Sequence, residues 1–407
     1  MMCSKQLNFW ICSNHLFREQ IALIHIVKTN LRCLFITRWK ICKDLEASLG
    51  NEALGLCYFT HENKIPVIVV MPVDVPLSLR EKITKLGATI ILHGRNLNDV
   101  DTQARSVAHK NKLVYINSRD YVDILAGYGT IALEILQDIP LVDAVIVPVG
   151  TGGLAAAIAV VIKHKKKNCL IYGVQPEEAR AFFTASKSED AARSFVPETT
   201  LANSLTMSKV GANAYHNALP LLDKMLLVKE SWIGQAMLHM MEHERYVVEG
   251  AAACPLAAII GQLVPELKNK TVVCIVSGGN IDSFLLSRCL QFGKAAEARF
   301  LKFTVEITDT SLSQADLFEL LRKKNYSVID QTQEHRWTNG DTYKCKLTLH
   351  CQTHDLEHAL KLRRLIQKTY PLSSEFENEP FVDKRTCECY AYSYTPYIPK
   401  PPVEDED

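Results

Sequence analysis

Residues 143–157 read DAVIVPVGTGGLAAA. The run 144–149 is apolar and rich in β-branched residues, the pattern of a strand buried on both faces of a parallel sheet. Gly150-Thr151-Gly152-Gly153 follows, and then a small-residue helix is predicted over 154–162. Strand, glycine turn and helix together make an anion site. Glycines let backbone N–H groups approach a cluster of oxygens, and the helix N-terminus adds about half a positive charge. The expected guest is a phosphate; the alternative reading of the glycines is close strand–helix packing.

Two more stretches share this grammar. Residues 272–276 form an apolar run followed by Ser277-Gly278-Gly279-Asn280-Ile281-Asp282, and residues 47–55 read ASLGNEALG. Between them lie IPVIVVMP from Ile65, KLGATIILHG from Lys85, AGYGTIALEI from Ala126, YGVQPE from Tyr172 and VVEGAAA from Val247. Strands alternating with helices through this region predict a parallel α/β layer. In content and order these strings resemble the threonine/serine dehydratases (ammonia-lyases) and serine racemases among the fold-type II pyridoxal-phosphate enzymes. The resemblance runs from about 47 to 287. It implies an α/β fold of the tryptophan-synthase-β type, with two parallel-sheet domains and pyridoxal 5'-phosphate as cofactor.

The composition is that of an ordinary globular chain: 47% hydrophobic, 22% charged, net charge +1. That balance gives no electrostatic reason to expect nucleic acid. No apolar run approaches the ~20 residues of a membrane span. Thirteen scattered cysteines without a CxxC pair suit a reduced compartment better than a disulfide framework, so a cytoplasmic location is expected over a mitochondrial one. Cys387 and Cys389 form a lone CxC, read as tail rather than metal site, and no metal is expected.

Five segments follow: a divergent or truncated start at 1–43, a small α/β domain at 44–124, a large cofactor-binding α/β domain at 125–295, a regulatory module at 300–372 and a disordered tail at 373–407. The start holds seven Lys/Arg and one acid, Glu19; a transit peptide is the alternative reading. Helices are predicted over 17–27, 45–58, 130–137, 220–225 and 230–244, and 186–202 reads as loop. Beyond Phe300 the pattern becomes β-α-β-β-α, with Asn339-Gly340 as a hairpin signal. That order resembles the ACT domain, a ferredoxin-like α+β module that binds amino acids in metabolic enzymes.

By resemblance, the backbone of Gly150, Thr151, Gly152, Gly153 and Leu154 cradles the cofactor phosphate. Asn51 meets the ring 3-hydroxyl, Ser277 faces the pyridine nitrogen, and Glu249 lines the ring. The bland readings are a helix-start hydrogen bond for Asn51 and a turn residue for Ser277. Several positions depart from the family pattern. Thr151 stands in a tetraglycine and disfavours positive φ, so a turn with fewer free N–H groups is expected. Leu49 fills the place of alanine or of the racemase's second serine, and Asn203 replaces a metal-binding aspartate. The Schiff-base lysine string, GSFKxRG-like, does not occur. Lys28 is the nearest candidate by spacing, and its ordinary reading is a solvated cation. His239 and His243 have metal-ligand spacing on a helix, but the expected reading is a polar helix face. In the ACT-like region, Asp309-Thr310-Ser311-Leu312 replaces a glycine-containing ligand loop.

Three readings follow. The chain is a threonine/serine ammonia-lyase acting on a small amino acid, as a homo-oligomer by family analogy and impaired by the missing lysine. Or it is a pseudoenzyme sensing amino acids. Or its true N-terminus restores the lysine. Serine racemase is a further alternative, disfavoured by Leu49.

Overall fold

A computed structural model of the chain describes residues 11–14, 21–25, 44–47, 51–95, 97–116, 120–335 and 343–376. It divides into two compact units, one through Leu286 and one from Ser287.

The first unit holds two sheets. β1 is Ile11–Asn14, β2 is Ile21–His25, β3 is Asp44–Ala47, β4 is Val67–Met71, β5 is Thr89–Leu92 and β6 is Val114–Ile116. β7 is Ala144–Pro148, β8 is Leu170–Pro176, β9 is Lys224–Val228 and β10 is Val272–Val276. The smaller sheet runs β5-β4-β3-β6 and is wholly parallel. The larger runs β1-β2-β10-β7-β8-β9 and is parallel except for β1. Every residue of β7 and of β10 is buried, as continuous apolar runs covered on both faces must be. The expected parallel α/β fold is therefore present.

Local readings gave way where pairing outweighed propensity. Residues 21–25 are strand, not part of a helix over 17–27, because they pair with β10. Residues 44–47 are strand between β4 and β6, and the helix expected from 45 begins only at Asn51 (Asn51–Glu62). The helix expected over 130–137 begins at Val122 (Val122–Asp138), with Gly127 and Gly129 buried inside it. A Cβ on Gly129 would stand 3.2 Å from Val161, so the glycine lets this helix lie close to the helix Gly153–Lys165. Residues 224–228 are strand β9, paired to β8, rather than the end of a helix. The segment read as loop from 186 begins with the last turn of a helix, Ala181–Ser188.

The second unit is a four-stranded antiparallel sheet of β11 (Phe300–Thr308), β12 (Ser327–His335), β13 (Lys344–Gln352) and β14 (Ser374–Phe376), in the order β12-β13-β11-β14. Leu301, Phe303, Val305 and Ile307 alternate inward, beside Cys345, Leu347, Leu349 and Cys351 of β13. Leu317 and Leu321 of the helix Ser311–Lys323 cover them, as do Leu362 and Ile366 of the helix Leu356–Thr369. The sheet order with one helix in each crossover is the ferredoxin-like arrangement. β12 carries a register shift between Val328 and Asp330. β14 lies inside the segment expected to be disordered; it pairs with β11 instead, through Phe303 opposite Phe376. The hairpin tip at Asn339-Gly340 and the Cys387/Cys389 pair lie outside the described residues.

Ile158, on the helix Gly153–Lys165, is fully buried in the core of the larger sheet. Ile158→Ala is expected to cost about 2–5 kcal/mol, read as a lower midpoint in denaturant unfolding of the full chain.

Candidate functional site

β7 and β10 are neighbours in parallel, with Val272 opposite Ala144 and Cys274 opposite Ile146. At their starts, Thr271 N–H donates to the Asp143 carboxylate at 2.8 Å. Both strands therefore release their carboxyl ends at one edge of the sheet, where α/β folds bind ligands. β7 opens into Gly150-Thr151-Gly152-Gly153, and β10 into Ser277-Gly278-Gly279.

The first turn leads into the helix Gly153–Lys165, whose N-cap is Gly152 with φ +100° and no capping side chain. A helix start leaves its first N–H groups without intrahelical partners. The first backbone bond here is Ala156 N–H to the Gly152 carbonyl, at 2.8 Å. Only Gly152 in the turn has positive φ, so Thr151 sits where an L side chain is unstrained. Thr151 is thus spared the positive φ that a β-branched residue disfavours. Glycine is needed one residue later, where a Cβ would also come within 2.6 Å of the Phe182 ring. Neighbouring groups fix the turn. Gly211 N–H donates to the Thr151 carbonyl at 3.0 Å. Buried Gln175 donates to the Val149 carbonyl at 3.0 Å and accepts from Phe183 N–H at 2.9 Å.

The second turn meets Asn51 and Glu249. Asn51 opens its helix just beyond the carboxyl end of β3. Its Nδ2 sits astride the Glu249 carboxylate, 2.8 Å from each oxygen. Ser204 Oγ donates to Oε1 at 3.4 Å, and Glu249 N–H donates to the Gly278 carbonyl at 3.1 Å. A Cβ on Gly278 would lie 3.0 Å from the same carboxylate. Glu249 is only 7% exposed. Burial raises its pKa, opposed by the hydrogen bonds from Asn51 and Ser204. The turn and the carboxylate are linked through consecutive residues: Gly150 packs on Leu205, and Ser204 reaches Glu249.

The structure thus brings Asn51 and Glu249 into contact, with Gly278 against both. Ser277 is exposed at the end of β10, and Gly150 to Leu154 form the helix-capping turn. Lys28 and Leu49 lie outside the described residues. None of Asn51, Ser204 and Glu249 has a lysine partner among the described residues. Sequence reasoning missed Ser204. Its only signal was a hydroxyl residue in the string Leu201-Ala202-Asn203-Ser204-Leu205.

The rings of His239 and His243 lie with centroids 4.5 Å apart, tilted by 38°. Residues 231–238 of their helix, Glu230–Glu242, are buried, while His239, Glu242 and Glu244 are part-exposed and His243 is exposed. Burial, with His243 beside it, lowers the pKa of His239 to about 4. Among the described residues no three His, Cys, Asp or Glu side chains are placed to hold a metal ion.

The profile described as "Pyridoxal-phosphate dependent enzyme" matches residues 44–278, from β3 to the second glycine turn. The chain belongs to the pyridoxal-phosphate-dependent enzyme family. It is 33% identical to the L-threonine ammonia-lyase of Geobacter sulfurreducens over 318 residues, covering 77% of this chain and 78% of that protein. It is 30% identical to the L-threonine ammonia-lyase of Thermotoga maritima, covering 80% of each. Among solved structures it resembles threonine deaminase isoform 2 from Solanum lycopersicum, with a TM-score of 0.61 and 25% identity over 67% of this chain and 78% of that one. It shares its fold with maize serine racemase at a TM-score of 0.60 and 22% identity, over 70% and 91% of the two chains. The family's cofactor is pyridoxal phosphate. The uncapped helix start with left-handed Gly152 fits its phosphate, while the amine that anchors it in the family has no counterpart string in this sequence.

Two measurements test the site. Thr151→Gly should change stability by no more than about 1 kcal/mol, whereas Gly152→Ala should cost about 2 kcal/mol or more in denaturant unfolding. Because the pKa of Glu249 is raised, the folded protein holds that proton more tightly than the unfolded chain does. The stabilising contribution is complete below the ordinary glutamate range and is lost as pH rises through the raised value. The stability of the native chain relative to Glu249→Gln should therefore fall from acid to neutral pH, measured by thermal unfolding across that range.

Proposed function

We propose that this chain binds pyridoxal phosphate between its two glycine turns and descends from threonine/serine ammonia-lyases, with turnover strongly reduced. The observation that supports the reading is the Asn51–Glu249 contact beside Gly278, together with the uncapped helix start at Gly152, both inside the region that matches the family. The relatives named L-threonine ammonia-lyase support the reaction class. Bound there, the cofactor supplies an electron sink for loss of an α-proton and a β-hydroxyl from threonine or serine.

The residues divide the work. N–H groups of Gly150 to Leu154, at the positive end of a helix, hold the phosphate. Asn51, fixed by Glu249, presents its remaining amide groups to the ring 3-hydroxyl. Ser277 offers a neutral hydroxyl to the pyridine nitrogen. The step that lacks a residue is proton removal from the substrate, which a lysine amine performs where one is present. Losing one member of a cooperating set costs orders of magnitude in rate. That absence favours a second reading, an amino-acid-binding pseudoenzyme with the second unit as an ACT-type sensor; the ferredoxin-like sheet order supports it. A cytoplasmic homo-oligomer is proposed by analogy. No helix among the described residues is long and apolar enough to cross a membrane.

Purified chain supplied with cofactor should release ammonia and 2-oxo acid from L-threonine or L-serine at least about a hundredfold more slowly than a lysine-bearing relative. Borohydride should fix no cofactor to a peptide. Rates equal to the relative's, with one labelled lysine peptide such as that of Lys28, would overturn the impaired reading.

A further inference from the structure

Glu249 stands apart in this protein. Among the described residues it is the one residue with a carboxylate, ammonium, guanidinium or imidazole side chain that is buried. A buried carboxylate is stable when a cation pairs with it, and removing the partner of such a pair is strongly destabilising. Its side-chain partners among the described residues are the neutral donors Asn51 and Ser204. Lys82 gives its Nζ to the side chain of Asn280, in the turn that carries Gly278, at 3.0 Å. The pocket thus has a positive end, the helix start at Gly152 and Gly153, and a negative end, the Glu249 carboxylate. The two are joined through Leu205 and Ser204, neighbours whose Cα atoms are about 3.8 Å apart. Gly150 packs against the first and Glu249 accepts from the second. A ring that carries a phosphate arm and an ammonium arm on neighbouring carbons offers one group to each end.

We propose that this pocket prefers the amine form of the family's cofactor, pyridoxamine 5'-phosphate, over the aldehyde form. The proposal rests on the reading of this site as the cofactor pocket. In relatives with an anchoring lysine, the protein contributes the ammonium and the ligand the aldehyde. No lysine meets Glu249 among the described residues, and an amine on the ligand supplies the ammonium instead. The ligand's primary ammonium pairs with Glu249, while the phosphate sits on the Gly152 turn. No bond is made or broken, so release needs no chemistry.

The test is a set of equilibrium titrations of the full chain at neutral pH, read by ligand fluorescence and equilibrium dialysis. The ligands are pyridoxamine 5'-phosphate, pyridoxal 5'-phosphate and inorganic phosphate as competitor. The expected result is pyridoxamine phosphate binding at least about tenfold tighter than pyridoxal phosphate. Inorganic phosphate should displace both, and Glu249→Gln should abolish the difference without changing competition by phosphate. Equal binding of the two forms, or tighter binding of the aldehyde, overturns the proposal; if phosphate still competes, the cofactor-pocket reading stands without it. Binding of neither form, with no competition by phosphate, overturns both. Should Glu249→Gln fail to fold, the ratio of the two affinities in the native chain decides alone. A free amino acid that displaces pyridoxamine phosphate while phosphate does not would assign the ammonium site to substrate and also overturn the proposal.

Discussion

Parallel pairing of β7 with β10 places the carboxyl ends of two strands side by side. Each strand then needs a connection that turns sharply toward a helix. Such a connection in confined space calls for small residues, and glycine follows two residues after the end of each strand, at Gly150 and Gly278. The backbone N–H groups that this leaves without intrahelical partners at the helix start are a by-product of packing before they are a binding site. Anion recognition follows from topology. Asn51 reaches the same region from the other sheet because β3 also ends near it and its helix starts there at once.

The Glu249 carboxylate gives this region its second character. It anchors Asn51, takes a weaker bond from Ser204 and is pressed by Gly278. Three segments far apart in sequence thereby share one polar centre, and Gly250, the next residue, lies so close to Leu201 that a Cβ would meet its carbonyl at 2.2 Å. Side-chain chemistry and backbone packing constrain the same few residues, so substitutions here affect folding and binding together.

Much of this was legible in the residues. β7 and β10 could be read as buried strands because their apolar runs have no alternation, and the glycine strings marked the turns. β3 could not. Asp44-Leu45-Glu46-Ala47 has ordinary helix formers, and only its neighbours β4 and β6 make it a strand. β9 was hidden for the same reason. Asn51, Glu249 and Ser277 were identifiable from their strings, but their mutual placement was not. Nothing local in 247–253 indicates that Glu249 will meet a residue 198 positions away. Thr151 misled in the opposite sense. A β-branched residue among glycines suggests strain, yet the strained angle belongs to its neighbour.

The register shift in β12 has a consequence for how these molecules behave at high concentration. β12 is an edge of its sheet, nine residues long, and an edge strand of that length is a template on which another chain can add a strand. The irregularity at Ile329 breaks the even spacing that an incoming strand must match, and Asp330 and Glu334 put exposed charge along it. The small sheet can therefore keep an open edge in a crowded solution without recruiting its neighbours into a growing β-structure.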